Sequence, residues 1–365
     1  MRILQTCRSL GAGGIEAIVC GLSNELAKTE SVTVCTLKKP NSEDLFYKKL
    51  SPAIEKYAIS LSENDGPLHT VFHVWRLFRK KHYDVVNIHG FFYFYLLAIL
   101  LLHRTTRFYY TVHSDALKEN NPWDLRLFNI KKWCFRHGWV RPITISPASK
   151  ESFTRLYRCN SRLIPNGIPR PSFSPDITLD AYRKSSDTII FFHAGRICPE
   201  KNQSMLCRVF DRLIREGEDI AIIFAGPCHV EASYQEMLPY LNDRIQYIGE
   251  HADIPSLMYS ADAFCLASHY EGMPVVILEA FAAGCPSICT PVGGIPNMIE
   301  NGKNGILSAN LTEQSYYEAV SGFLALSPKE KSILKENALM SFEKYTIANT
   351  ANMYLSYYQE CESSI

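Results

Sequence analysis

Short, nearly uncharged apolar runs alternate with amphipathic ones along almost the whole 365-residue chain. RILQTC, SVTVCTL, DVVNIH, RFYYTVHS and ITIS mark the first half; TIIFFHAG, DIAIIFAG, RIQYIG, DAFCLAS and PSICT mark the second. Most are apolar on successive residues rather than on every second one. Strands of that kind are buried on both faces, which is the condition of a parallel sheet. Between them lie helical spacings, such as Ile18, Leu22 and Leu26, or NQSMLCRVFDRLIREG, which Gly217 stops. The alternation predicts an α/β protein of two doubly wound, Rossmann-like units. The boundary falls in PRPSFSPDITLDAYRKSSD (169–187), rich in Pro and Ser and poor in large apolar residues. The expected division is a domain at 1–170, a linker at 171–187, a second domain at 188–345, and a helix at 346–365 that packs back toward the first domain.

Net charge is +1, but 25 Lys and Arg stand against 13 Asp and Glu up to Arg170, and 13 against 24 beyond it. A basic half suits an anionic partner or a lipid surface; two solvated faces of opposite sign are the plainer reading. The 12 cysteines include no CxxC pair and no Cys/His zinc spacing. With no apolar leader at the N-terminus, reduced thiols in a cytosol are expected. The longest apolar run, FFYFYLLAILLL (91–102), falls short of the roughly 20 residues of a membrane span. It is expected to be a buried helix, with a groove for a lipid tail as the alternative.

In doubly wound sheets ligands sit beyond the carboxyl ends of the strands, so the loops there carry the chemistry. SLGAGGIEAIV (9–19) would aim backbone amides at an anion beside a helix N-terminus. Gly11 and Gly13 fit the first two positions of a dinucleotide fingerprint, but Glu16 stands at the third, which argues against a nicotinamide oxidoreductase. HAGRICPEKNQS (193–204) sets Arg196 and Lys201 after an uncharged strand, a pair suited to a diphosphate. SHYEGMPVVILEAFAAGCP (268–286) puts Glu271 in a loop and Glu279 on a helix begun near Pro274 and ended at Gly284. Ionised carboxylates only accept hydrogen bonds, so the two suit the hydroxyls of a sugar and a ribose. Acids bonded to nearby backbone amides are the plainer alternative. In TPVGGIP, Gly293 and Gly294 let the backbone approach a ligand.

The motifs AGRICPEKN, FAGP, YIGE, SLMYSADAF, SHYEGMPVVILEAFAAGCPSI, TPVGGIP and IENGKNGIL follow one another between Ala194 and Leu307. In that order they resemble the retaining glycosyltransferases of family 4, whose GT-B fold has two Rossmann-like domains facing a cleft. GGIE, VVNIHG, YTVHS, TISPAS and IPNGI carry the resemblance through the first half. It implies a nucleotide-sugar donor in the carboxyl-terminal domain. Arg196 and Lys201 would hold its diphosphate, Glu279 its ribose and Glu271 its sugar. The backbone of Gly272, Met273, Pro274 and Val275 would touch sugar hydroxyls or phosphate. Gly13 and Gly14 would face the diphosphate from the other domain. His113, in YTVHS, would lie near the reacting sugar carbon; a buried core histidine is the alternative. His113, Glu271, Arg196 and Lys201 are then the expected catalytic set, with the cations stabilising the leaving diphosphate. Asn297 replaces the acid of the family's frequent GGxPE.

The implied activity is transfer, with retention of anomeric configuration, to a saccharide or a lipid-diphosphate-linked saccharide, in surface polysaccharide or glycolipid synthesis. No cofactor, metal ion or nucleic acid partner is expected, and no Asp-x-Asp motif occurs. A cytoplasmic protein in peripheral contact with the anionic inner face of the membrane, through VFHVWRLFRKK, would fit a lipid-linked acceptor. The alternatives are a nucleotide-sugar epimerase of the same fold, which would lack the E-x7-E pattern, and a non-catalytic nucleotide-sugar-binding protein, which would have lost the cation pair or the acids.

Overall fold

A computed structural model describes residues 1–11, 13–41, 44–59 and 67–360. The chain divides into two compact units: Met1–Pro169 together with the segment from Thr346, and Arg170–Tyr345. The first unit contains strands β1 (Arg2–Cys7), β2 (Ser31–Thr36), β3 (Glu55–Ala58), β4 (Val85–Ile88), β5 (Arg107–Val112), β6 (Val140–Thr144) and β7 (Arg162–Leu163). They form one parallel sheet in the order β3-β2-β1-β4-β5-β6-β7. Ile3 pairs with Val32 on one side and Val85 on the other, so β1 is where the strand order reverses. Successive side chains point to opposite faces. Ile3, Val85 and Tyr109 enter one core, and Leu4, Val86, Phe108 and Tyr110 the other. Both faces are covered, as the unbroken apolar runs predict. The edge strand β3, EKYA, is absent from the sequence reading because its residues are charged and half-exposed.

The helix Ile347–Gln359 completes the first of these cores. Its Tyr358 carbonyl accepts from Arg107 Nη1 at 2.6 Å, and Tyr354 Oη lies 3.2 Å from Thr111 Oγ1. Chain entry is tight: a Cβ on Gly167 would lie 2.6 Å from the Thr346 carbonyl oxygen. Residues 361–365 of the expected terminal helix lie outside the described residues.

The FFYFYLLAILLL run departs from expectation. It makes a 3-10 turn at Phe92–Tyr95 and a short helix at Leu96–Leu102. Phe92, Phe94 and Tyr95 fill the core, while Leu97, Leu100 and Leu101 are exposed. A helix apolar all round gives no moment to show which side faces the core.

The second unit contains β8 (Ile189–Ala194), β9 (Ile220–Ala225), β10 (Ile245–Tyr247), β11 (Ala263–Leu266), β12 (Ser287–Cys289) and β13 (Gly305–Leu307). The sheet is again parallel, in the order β10-β9-β8-β11-β12-β13, and reverses between β8 and β11. The stretch 171–187, expected as a linker, packs on this unit. Leu179 is fully buried, its amide donates to Ser260 Oγ, and Phe173 stacks on Tyr259. Arg183 Nη1 reaches Asp262 at 2.9 Å. Two well-placed apolar residues and an ion pair hold a segment whose average composition is that of a spacer.

Candidate functional site

In the second unit, the loops after β8 and β11 flank the point where the strand order reverses, and they carry the expected charged residues. The β8 loop is fixed from beneath. Gly195 N donates to the Ala225 carbonyl at 2.9 Å. Gly226 sits at φ 136, so close to Gly195 that a Cβ there would lie 2.2 Å from the Gly195 oxygen. Only glycine satisfies both constraints. His193 is fully buried between the loops: Nδ1 donates to the Cys265 carbonyl at 2.9 Å, which leaves Nε2 to accept from Gln203 Nε2 at 3.1 Å. Gln203 also donates to the Arg196 carbonyl at 2.8 Å. Burial pushes the His193 imidazole down to about 4, so it is neutral and its hydrogen bonds are fixed.

Above this base Arg196 is exposed, and its guanidinium makes no hydrogen bond or ion pair among the described residues. Lys201 differs. It ends the Pro199–Lys201 turn, and its Nζ lies 2.5 Å from Glu271 Oε1, with the two side chains 18% and 10% exposed. Ser268 Oγ donates to the same carboxylate oxygen at 2.7 Å. Glu271 is therefore held by side chains, not by the backbone amides of the plainer reading. The β11 loop is tied to its neighbours by the His269 amide on the Glu200 carbonyl at 2.9 Å and by Thr290 Oγ1 on the Ser268 carbonyl at 2.6 Å. Gly294 N donates to the Gly272 carbonyl, and Gly293, at φ 54, would bring a Cβ within 1.7 Å of the Glu271 backbone carbonyl oxygen. The glycine pair of TPVGGIP thus approaches Glu271 itself.

The helix Val275–Ala282 starts from Pro274 with no side-chain cap. Its first amides carry the positive end of the helix dipole. Val275 and Gly272 are half-buried, Met273 and Pro274 are buried, and Glu279 is half-buried one turn along. Asn297 is exposed on the short Ile295–Asn297 turn. An unpaired guanidinium, an ammonium shared with a carboxylate, an uncapped helix start and a further acid have the chemistry that suits an anion bearing hydroxyls.

The first unit places the other expected residues at the carboxyl ends of β1, β4 and β5. Gly13 and Gly14 are exposed at the start of the helix Gly14–Leu26. Glu16 turns back against Gly13: a Cβ there would meet Glu16 Oε2 at 2.3 Å. The residue that breaks the glycine fingerprint thus covers the loop, and an anion there would have to displace it. His113 follows β5 and is buried, its Nε2 2.7 Å from Nδ1 of the buried His89. Burial pushes His113 down to about 4 and His89 well below its ordinary value. Neither is a cation at neutral pH, so His113 can offer hydrogen bonds but not charge. Gln5 Oε1 lies 3.0 Å from His89 Nε2 and completes the row.

Ser268, Thr290, His193, Gln203 and His89 were not singled out from the sequence. Their signal lies only in their places: three residues before Glu271, just past the end of β12, and inside HAG and NIHG. Among the described residues no group of three or more His, Cys, Asp or Glu could hold a metal ion, the cysteines are free thiols, and no helix is long and apolar enough to cross a membrane.

Residues 12–170 match the family model Glycosyltransferase Family 4, and residues 177–339 match Glycosyl transferases group 1. One model falls in each unit, and both describe glycosyl transferases, to which the chain is similar in both halves. The phosphatidylinositol N-acetylglucosaminyltransferase GPI3 subunit of Saccharomyces cerevisiae is 27% identical over 208 residues, 54% of this chain and 44% of that protein. An Escherichia coli UDP-Gal:alpha-D-GlcNAc-diphosphoundecaprenol alpha-1,3-galactosyltransferase is 26% identical over 252 residues, 64% of each chain. The chain spans about half the length of the first curated relatives it matches. Its fold is that of GT-B structures. Anabaena HepE, solved with UDP and glucose, aligns with a TM-score of 0.79 at 18% identity, over 99% of this chain and all of that one. Sucrose-phosphate synthase from Thermosynechococcus elongatus aligns at 0.81 and 19%, over all of both chains.

Proposed function

We propose that this protein is a glycosyltransferase that moves a sugar from a nucleotide-diphosphate donor to a saccharide or lipid-diphosphate-linked saccharide, with retention of configuration. The observation that carries the reading is the free Arg196 beside the Lys201–Glu271 pair, at the strand reversal of the second unit. As the bond between the sugar and the diphosphate breaks, negative charge gathers on the leaving phosphate. Arg196 and Lys201 stabilise it there, together with the helix start at Val275. Glu279 accepts from the ribose and Glu271 from the sugar. A donor bound this way competes for Lys201, so Glu271 is released toward the sugar hydroxyls as the ammonium turns to phosphate. The leaving phosphate oxygen takes the acceptor's proton, so the reading needs neither a general base nor a divalent ion. His113, neutral, holds the sugar by hydrogen bonding. The test is release of nucleoside diphosphate from UDP-, GDP- and ADP-sugars with EDTA present, and NMR of the product anomer. Inverted product overturns retention, and dependence on added metal overturns the role of the cations.

The acceptor side is proposed to work at an anionic lipid bilayer, which makes the protein a cytoplasmic, peripheral one. Leu68 and Phe72, one turn apart on the helix Pro67–Lys80, are 85% and 57% exposed, with Arg76 and Arg79 further along the helix. That helix packs against Leu96–Leu102, whose exposed leucines adjoin His103, stacked on Trp139, and the exposed Trp133. From Pro67 to Ser114 six Lys and Arg stand against one acid, Asp84. Exposed apolar side chains within a cationic stretch match anionic headgroups over an acyl boundary. The protein should float with phosphatidylglycerol vesicles and less so with neutral ones, and Phe72→Asp with Leu101→Asp should release it. Equal flotation with and without anionic lipid would contradict the assignment.

A further inference from the structure

One buried acid of the first unit has no place in the reading above. Glu119 lies six residues beyond His113 and reaches back to it: the His113 amide donates to Oε1 and Oε2 at 3.1 and 3.0 Å. The turn between them is built to present this acid. Asp115 Oδ1 caps it, accepting from the Leu117 and Lys118 amides at 2.9 and 3.3 Å. Asn120 then anchors it, donating to the Ala116 carbonyl and accepting from Lys131 Nζ at 2.8 Å and Tyr157 Oη at 3.1 Å. We propose that Glu119 is a positioning residue for transfer: its carboxylate clasps the backbone amide of His113, and the clasp loosens when it takes up a proton. The inference rests on the reading that His113 meets the sugar.

The groups that face Glu119 explain why its charge is in play. Lys131, from the helix Phe128–Arg136, is the cation of the cluster, buried under the ring of Tyr110 from β5 at 4.3 Å. It is already shared with Asp124 of the helix Pro122–Arg126, at 3.5 Å. Tyr157, from the helix Pro147–Tyr157, closes the far side. One buried ammonium thus serves two carboxylates. Burial pushes Glu119 up to about 7, against the pull of the His113 amide and Lys131. Above that pH the ionised carboxylate is a strong acceptor for the His113 amide; below it the neutral acid is a weak one.

Two readouts test this. In full-length protein labelled with 15N-histidine, the His113 amide should shift with a midpoint near pH 7, and Glu119→Gln should abolish the shift. In transfer assays, wild-type kcat/KM should rise through the same range, and Glu119→Gln should be flat and roughly tenfold lower at pH 8. A wild-type amide that does not titrate between pH 5.5 and 8.5, or an acidic limb that persists in the variant, overturns the proposal. The amide titration needs no turnover and no variant, so it decides even where Glu119→Gln folds poorly. Absence of transfer at every pH would count against the proposed activity, not against the clasp.

Discussion

The two units share a strand order and differ in what stands at its reversal. In the second, Arg196 is exposed, and the half-buried Lys201 is paired at 2.5 Å with the buried Glu271. In the first, the polar row of Gln5, His89 and His113 is buried and uncharged, and Glu16 covers the glycine loop. One topology thus carries charged side chains in one unit and a buried neutral hydrogen-bonding row in the other. The sheet decides where a ligand can lie, and the loops decide what it can be.

Arg196→Ala breaks the comparison most sharply. It should lower turnover about 10²- to 10³-fold by removing a donor to the developing charge. It should leave the melting temperature unchanged, since the side chain is exposed and unpaired; a melting shift would mean that Arg196 supports the fold. Lys201→Met should also lower turnover, and in addition destabilise the second unit by about 1–3 kcal/mol, because Glu271 stays buried with Ser268 as its remaining side-chain donor. Adding Glu271→Gln should restore stability in denaturant titrations but not activity; restored activity would remove the pair from the mechanism. Glu279→Gln is the milder change, raising the donor's Kd about tenfold through one weakened ribose hydrogen bond, with kcat little affected.

The smallest effect separates the units by pH. His113 and His193, each near 4, are depressed below the ordinary histidine value, so they bind fewer protons folded than unfolded. Each contributes stability above about pH 6.5 that is lost as pH falls through about 4. Glu119, raised to about 7, has the opposite sign. Its contribution is present below about pH 4.5 and is lost as pH rises through about 7. Melting curves from pH 4 to 8 should show acid lability in the wild type, and Glu119→Gln should gain stability relative to it only toward the alkaline end.

Much of this was legible in the sequence, and the limits have physical reasons. Uninterrupted apolar runs gave most strands of both sheets, the positions after strands gave Arg196, Lys201 and Glu271, and the resemblance gave His113. The Lys201–Glu271 pair was not legible, because it joins residues 70 apart whose meeting depends on β8 and β11 being neighbours. Gln203 bonds locally, to Arg196 and His193, but nothing in its sequence place shows that its amide turns back beneath the loop. Glu119 lies close to His113 in sequence, yet nothing in YTVHSDALKEN shows that its carboxylate turns back onto the amide. The exposed leucines at 97–101 were hidden for another reason: a helix apolar all round does not reveal its outer side.

The central claim is that the second unit holds a nucleotide-diphosphate sugar through Arg196. The most direct measurement is the melting temperature of wild type and Arg196→Ala with UDP-, GDP- and ADP-sugars. At 100 times Kd a donor should stabilise the wild type by about 2.7 kcal/mol. The account predicts a rise with at least one donor, much reduced in the variant. No rise with any donor, or an equal rise in both proteins, would contradict it.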